Sequence, residues 1–192
     1  MENEEKVFEV RSKKMIKGMP LFHLAKNAKG FVAVGLKAKG VFSLGLLAKG
    51  VMPVGLLSIG IIPIGLLAIG LLPIGILALG LMAFGSYALG IVAVGAIAVG
   101  VVSFGAVAIG ILSFGAVSIG EFSLGAVAIG HYFACGDEAQ AMFAFGESEV
   151  NGSIFGCISG RTYYDKRLVV ARMKEETPWI YHWIVDIVKT FI

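Results

Sequence analysis

Residues 51–80 read VMPVGLLSIGIIPIGLLAIGLLPIGILALG, with Gly at every fifth position. The same spacing extends outward from Gly30 to Gly130, so that 21 glycines stand five residues apart and delimit twenty pentads. The third residue of every pentad is Ala, Ser or Pro, whereas the second and fourth residues are bulky and apolar with few exceptions. A repeat of fixed period indicates a structure built from stacked, similar units.

A weaker period of ten lies over the period of five, because Pro53, Pro63 and Pro73 recur at every tenth residue. An α-helix fits this spacing poorly, since a five-residue step rotates by about 140° and would spread the glycines over every face. Residues 51–120 contain 14 Gly, and each Gly costs roughly 0.8–1 kcal/mol relative to Ala inside a helix. A bundle of membrane helices packed through small residues is the alternative.

We therefore predict an all-β fold, a narrow β-solenoid of about ten coils, each with ten residues, two strands and two Gly corners. A corner needs a residue that accepts a positive φ and lets backbones approach closely. We expect the prolines at positions where a backbone N–H would not take part in the hydrogen bonds between neighbouring coils, which form the ladder of the sheet. The predicted corners include Gly55, Gly60, Gly65, Gly70, Gly75, Gly80, Gly85, Gly90, Gly95 and Gly100.

The lysines indicate which side chains point outward. Side chains alternate along a strand, so the second and fourth positions share one face and the third takes the other. Lys37, Lys39 and Lys49 occupy the second or fourth position, and an unpaired buried ammonium is very costly. We therefore predict a thin core of Ala, Ser and Pro. The residues expected to contact lipid or another subunit are Leu57, Leu67, Leu77, Ile97, Phe104 and Phe114.

The pentad run is flanked by KGMPLFHLAKNAKG at 17–30 and GAVAIGHYF at 125–133. Together these segments resemble a widespread group of uncharacterised bacterial proteins. The resemblance covers roughly residues 17–135 and implies a very narrow β-solenoid of a kind often classed with membrane proteins from hydropathy. It implies no activity, cofactor or site residue.

The outer surface is too apolar for an ordinary soluble protein. The chain is 57% apolar and 15% charged, and residues 51–120 contain no charged residue. Soluble monomers expose apolar patches of only a few hundred Å². Seven coils spaced ~4.8 Å apart would stack to about 34 Å, close to the ~30 Å hydrocarbon core of a bilayer. Neighbouring coils would pair each other's backbone groups. We therefore predict a membrane-embedded protein.

Charge placement predicts the orientation. Residues 1–50 hold ten Lys or Arg and four Asp or Glu. The positive-inside rule then places the N-terminus in the cytoplasm, and the resemblance to bacterial proteins implies an inner membrane as the location. We expect Lys37, Lys39 and Lys49 at the membrane interface, together with Trp179 and Trp183. A basic patch for nucleic acid or acidic lipid is the alternative for the N-terminal segment. We expect no nucleic-acid partner.

The ends divide the chain into a polar, basic cap at 1–29 with a short strand near 7–10, the solenoid at 30–135, and a C-terminal cap at 136–192. After Gly130 the register breaks, and irregular coils are expected to continue. Residues 161–173, RTYYDKRLVVARM, read as a β-hairpin turning at 165–166. Thr177 as N-cap and Pro178 at the first helical position then start an amphipathic helix. That helix is either an interfacial anchor or a lid that closes the solenoid end.

Reactive side chains cluster only at His131, Cys135, Asp137 and Glu138. They lack the repeated ligand spacing of a metal site, so we interpret them as a polar rim. We expect free thiols at the two cysteines, with a Cys135–Cys157 disulfide as the alternative. No enzyme activity, cofactor, metal or small-molecule substrate is predicted.

Three functions fit the predicted apolar β-solenoid. The first is a membrane-embedded structural or scaffold protein whose apolar outer faces join copies of the chain into a homo-oligomer. The second is a subunit of an oligomeric membrane pore, in which any conduit would lie between subunits. The third is an apolar filament whose faces are buried by bundling.

Overall fold

The computed structural model describes residues 10–11, 15–16, 19–20, 22–158 and 166–188. The chain forms two compact units, Met1–Ala98 and Val99–Ile192. The predicted β-solenoid is confirmed, with about 13 turns followed by two short helices. The expected number of about ten coils was too low. The elements are β1 Val10–Arg11, β2 Met15–Ile16, β3 Met19–Pro20, β4 Phe22–Leu24, β5 Asn27–Lys29, β6 Val32–Val34, β7 Lys37–Gly60, β8 Ile64–Gly70, β9 Ile74–Ile158, α1 Lys166–Glu176, a 3₁₀ turn Trp179–Tyr181, and α2 His182–Val188.

The strands of the first unit pair in parallel at a constant offset of ten residues. Leu57 pairs with Leu67, which pairs with Leu77. Pentads that begin at residues 31, 41 and 51 therefore stack on one another, and we call their outer surface the first face. Pentads that begin at residues 36, 46 and 56 likewise form the second face, which also includes residues 26–29. The offset confirms the predicted ten-residue coil.

The third residue of each pentad points into the solenoid. Ala68, Ala78 and Ala83 have no exposed surface. Ala78 and Ala83 come from alternate pentads yet belong to one packed cluster, so the two faces meet directly through these small side chains. The prediction of a thin core of small residues is confirmed.

Close approach between coils explains the glycines at the corners. A Cβ added to Gly65 would overlap the carbonyl oxygen of Gly55, and a Cβ added to Gly75 would overlap that of Gly65. Among the corner glycines from Gly35 to Gly95, none has φ in the left-handed region. The expectation of a positive φ at the corners was therefore wrong. Gly is required there because the preceding coil leaves no room for a side chain.

Two of the three prolines lie in gaps between strands. Pro63 falls in the gap at 61–63 between β7 and β8, and Pro73 in the gap at 71–73 between β8 and β9, whereas Pro53 lies within β7. Backbone hydrogen bonds still cross these gaps, since the Ile62 N–H donates to the Val51 carbonyl oxygen and the Leu72 N–H to that of Ile61, both at 2.9 Å. Proline has no N–H to donate to a neighbouring coil. Its carbonyl still accepts a bond, since the Ile74 N–H donates to Pro63 at 2.9 Å and the Phe84 N–H donates to Pro73 at 3.0 Å. Each proline thus costs the ladder one donor while the stack continues.

The ten-residue register begins before residue 30. Phe22 pairs with Val32 in parallel, so β4 already forms part of a coil. β1 pairs antiparallel with β4, through Val10 with Leu24. An antiparallel strand therefore covers part of the edge of the first described coil, near the short strand expected at 7–10.

The break after Gly130 is a one-residue insertion. A Cβ on Gly136 would overlap the carbonyl oxygen of Gly125, eleven residues earlier, whereas one on Gly146 would approach that of Gly136, ten residues earlier. Within the longer coil, the adjacent residues Phe133 and Ala134 are both buried. The extra residue is thus absorbed in one coil, as in a β-bulge, and the stack then resumes its period.

Helix α1 replaces the second strand of the predicted β-hairpin, so the hairpin was wrong from residue 166 onward. Its first strand and turn lie mainly outside the described residues. Val169 and Met173, four residues apart, are both buried, and this spacing places them on one helical face. Arg172 also forms ion pairs with Glu175 at 3.1 Å and Glu176 at 3.3 Å, at the helical spacings of three and four residues.

Thr177 ends α1 instead of capping the following helix. Its N–H and its hydroxyl both donate to the Met173 carbonyl oxygen, at 3.0 and 2.7 Å. Pro178 precedes the 3₁₀ turn without a side-chain cap. The N-cap assigned to Thr177 was therefore wrong, because its side chain bonds backward to α1.

Candidate lipid-facing surface

The coils of the first unit present bulky apolar side chains outward. From residue 51 to residue 98 this surface contains no charged side chain. Several residues at the first pentad position are among the most exposed of these side chains, with Leu56 at 55%, Leu66 at 51% and Ile76 at 52%. These residues stand beside a corner glycine, which has no side chain to shield them. The exposure of this position was not predicted from the sequence.

A shallow apolar groove runs along the corner formed by Gly65, Gly75 and Gly85. The walls come from both faces, and Ser86 contributes a hydroxyl. The groove follows the direction of coil stacking, because its lining residues recur every ten positions. Its large lining side chains are Leu56, Ile64, Leu66, Ile74, Ile76 and Phe84.

The residues predicted to face lipid or another subunit lie at the surface, although not all are equally accessible. Leu57, Leu67 and Leu77 are half-buried in one column. Ile97 is exposed in the first unit. In the second unit, Phe104 is exposed and stacks on half-buried Phe114, with ring centroids 4.9 Å apart. Their role as contacts for lipid or a subunit remains a prediction.

The predicted interfacial lysines lie on one face. Lys37, Lys39 and Lys49 are exposed on the second face. Lys26 and Lys29, which were not among the predicted interfacial residues, are exposed on the same face. Register places Lys29 beside Lys39 in the next coil, and Lys49 lies ten residues further. Pentads 31–35, 41–45 and 51–55 of the first face contain no charged residue. The basic surface is therefore one-sided.

The C-terminal helices cover an apolar face of the second unit. Leu112, Phe122 and Phe143 are buried together with Met173 of α1 and Ile184 of α2. Leu112 and Phe122 occupy the second pentad position, which is usually half-exposed elsewhere. The helices therefore pack on outward side chains of the coils, along their side. This placement differs from the expected lid over the solenoid end, whereas the alternative of an interfacial anchor stays a prediction.

The polar side chains of α2 bond to α1. The His182 Nε2 atom lies 2.9 Å from the Lys174 carbonyl oxygen, and the Lys174 Nζ atom donates to Asp186 Oδ1 at 2.7 Å. Trp179, at 81% exposed, and Trp183 are among the most accessible aromatic side chains of the described part of the chain. Their role at a membrane interface remains a prediction.

The reactive cluster does not converge on a site. His131, Asp137 and Glu138 are exposed, whereas Cys135 is half-buried against the C-terminal core. Within the described ranges, no group of three or more His, Cys, Asp or Glu side chains could hold a metal ion. Cys135 carries a free thiol, and burial raises the pKa of that thiol. The side chain of Cys157 lies outside the described residues.

We expect Cys135 to react slowly with iodoacetamide near neutral pH. The thiolate is the nucleophile, and a raised pKa lowers its fraction at a given pH. In a Cys157→Ser variant, the rate should rise with pH along a curve displaced to higher pH than for the same variant in denaturant. Stopped alkylation followed by mass spectrometry gives both curves. Coincident curves would show that the native environment does not suppress ionisation.

In the residues that the structure describes, neither C-terminal helix nor any other helix has the length and apolar character needed to cross a membrane.

Comparisons of the chain with protein-family models, with curated proteins and with solved structures found no match. The β-solenoid therefore stands on the structure of this chain alone. The resemblance to bacterial Gly-pentad proteins receives no support from these comparisons.

Proposed function

We propose that this protein is a membrane-embedded β-solenoid that acts as a structural scaffold and self-associates through its apolar outer faces. The main support is the outer surface from residue 51 to residue 98, which is uncharged and carries half-exposed Leu and Ile side chains. Fully burying one such side chain contributes roughly 1.5–3 kcal/mol. A surface that repeats this contribution on every coil favours lipid or another copy of the chain over water.

The backbone arrangement is compatible with a hydrocarbon environment. A segment in lipid must satisfy its N–H and C=O groups internally. In the first unit, backbone hydrogen bonds join neighbouring coils. The Ile62 N–H donates to the Val51 carbonyl oxygen at 2.9 Å, and the Leu72 N–H donates to the Ile61 carbonyl oxygen at 2.9 Å. Stacking therefore pairs the backbone in the way that a helix does within one segment.

A scaffold fits the interior better than a conduit does. The packed cluster that includes Ala78, Ala88 and Ala98 fills the space between the faces of the first unit. Regular apolar columns on the outside instead offer a repeating surface for side-by-side packing. Our proposal includes a place among the bacterial Gly-pentad membrane proteins and an N-terminus in the cytoplasm of an inner membrane, since the first 50 residues hold ten Lys or Arg.

Spin labels on the first unit test the membrane proposal. In a Cys135→Ser/Cys157→Ser background, single cysteines replace Leu66 in the apolar surface or Lys39 in the basic surface. In vesicles we expect the label at position 66 to collide preferentially with oxygen, which concentrates in lipid, and the label at position 39 with a water-soluble nickel chelate. Power-saturation electron paramagnetic resonance measures both. Chelate collisions at position 66 equal to those at position 39 would refute the proposal.

Self-association has a separate readout. In the same background, a single cysteine at position 76 is labelled with a donor fluorophore in one sample and an acceptor fluorophore in another. The two samples are mixed and reconstituted at increasing lipid-to-protein ratios. Energy transfer that persists on dilution supports a homo-oligomer, whereas transfer that falls in proportion to density indicates random proximity. Protein that sediments without lipid or detergent dependence would instead indicate a bundled filament.

A further inference from the structure

We propose that the second face of the first unit binds an anionic phospholipid, with its phosphate between Lys39 and Lys49 and its acyl chains along the apolar column that continues from them. This inference rests on the proposed membrane location. It adds to that location a headgroup class, a defined face and a defined set of side chains.

Register sets the lysine spacing. Lys29 and Lys39 are direct partners in adjacent coils, and Lys49 holds the same position in the coil after them. Adjacent strands lie ~4.8 Å apart, so two neighbouring ammonium groups can reach oxygens of one phosphate at the usual ~2.7–2.9 Å. All three side chains are exposed. Like charges placed directly opposite on neighbouring strands destabilise a sheet, and a bound anion would remove that repulsion.

The counter-charge has to come from outside the described part of this unit. Residues 10–98 contain no Asp or Glu, so in that range Lys26, Lys37 and the three-lysine column have no carboxylate to pair with. A zwitterionic headgroup adds a cation beside its phosphate. An anionic headgroup does not, so it complements five lysines on one face more completely.

The column changes from basic to apolar without leaving its register. Beyond Lys49 the same position is occupied by Ile59, Ile69 and Leu79, and β7, β8 and β9 pair these residues directly. A lipid with its phosphate at Lys49 would lay its chains along this column, about one side chain for every ~4.8 Å. This continuity favours a lipid over a nucleic acid, which would need a basic surface along its full length.

A matched relocation variant provides the control. Val34 occupies the fourth pentad position on the first face, in the same coil as Lys39. Exchanging Val34 with Lys39 keeps composition, net charge and coil level, moves one charge to the opposite face, and leaves no stacked pair of lysines at the proposed phosphate position on either face. A Lys39→Gln/Lys49→Gln variant removes both charges. Both variants change outward positions, and circular dichroism checks that each retains the β-solenoid.

The test titrates phosphatidylglycerol, and separately phosphatidylcholine, into full-length protein in detergent micelles and counts bound lipid by native mass spectrometry. We expect the wild type to prefer phosphatidylglycerol. Each lysine near an anionic surface contributes about fivefold to binding. We therefore expect phosphatidylglycerol to bind about fivefold more weakly to the relocation variant and about 25-fold more weakly to the Lys39→Gln/Lys49→Gln variant. Millimolar inorganic phosphate should not displace the lipid, because it lacks the chains.

Three outcomes would overturn the inference: no preference for phosphatidylglycerol in the wild type, full binding in the relocation variant, or tighter binding of a single-stranded oligonucleotide than of the lipid. The spin label at position 66 shows whether the phospholipid site alone is wrong or the proposed membrane location is wrong as well. A lipid-exposed label in protein without headgroup preference would refute only the phospholipid site. A water-exposed label would refute the membrane location itself.

Discussion

Gly65→Ala will destabilise the first unit by about 3 kcal/mol or more, the upper part of the range for overpacked sites. The added methyl group would overlap the carbonyl oxygen of Gly55 and lie 3.1 Å from Ser58 Oγ. The backbone cannot easily move away, because Val54 pairs with Ile64 and Leu57 pairs with Leu67 on either side of this corner. The substitution should therefore separate two coils.

Denaturant unfolding in micelles, followed by far-ultraviolet circular dichroism, measures this loss. Leu66→Ala is the control, since it changes the next residue, which is half exposed, and introduces no overlap. We expect the control to unfold within about 0.5 kcal/mol of the wild type, as surface substitutions do. Equal stability of the Gly65→Ala and Leu66→Ala proteins would mean that close coil contact does not explain the corner glycines.

Met173→Ala will detach the C-terminal helices from the coils of the second unit. Met173 has no exposed surface and packs in the cluster that holds Phe122, Val169 and Ile184. Replacing a buried Met by Ala typically costs 2–5 kcal/mol, because transfer free energy is lost and a cavity remains. We expect faster hydrogen exchange across α1 and α2, and a new site for limited proteolysis near residue 166.

Leu168→Ala serves as the matched variant on the same helix, since Leu168 is 70% exposed. It removes a similar volume without touching the cluster, so exchange in α1 should stay close to that of the wild type. If both variants accelerate exchange equally, the helices are held by something other than this cluster.

The pentad repeat predicted the coil because each of its features has one physical explanation. The close approach of neighbouring backbones requires Gly at every fifth residue. The confined interior requires a small residue, Ala, Ser or Pro, at the third position. The lysines then oriented the faces. Their restriction to one face follows from the predicted ten-residue coil, in which alternate pentads stack, but it was not foreseen. The pairing of Lys29 with Lys39 extends this basic column into the segment that was assigned to the N-terminal cap.

The local sequence pattern predicted the wrong secondary structure where packing against the coils selects the conformation. Leu168, Val169 and Val170 form an apolar, partly β-branched run that favours a strand, yet they lie in α1. The helix is selected because Val169 and Met173 together reach the apolar side of the coils. The coil count was underestimated for a related reason. Strand β9 continues to Ile158, although residues 137–158 lack the strict glycine spacing.

The constant offset of ten residues has a consequence for how such a chain can vary in length. Duplicating or deleting ten residues at a corner would add or remove one complete turn and leave every remaining column aligned. The height of the stack would then change in increments of ~4.8 Å. On the proposed membrane location, the number of turns would then match the height of the stack to the thickness of the bilayer without changing the contacts between coils.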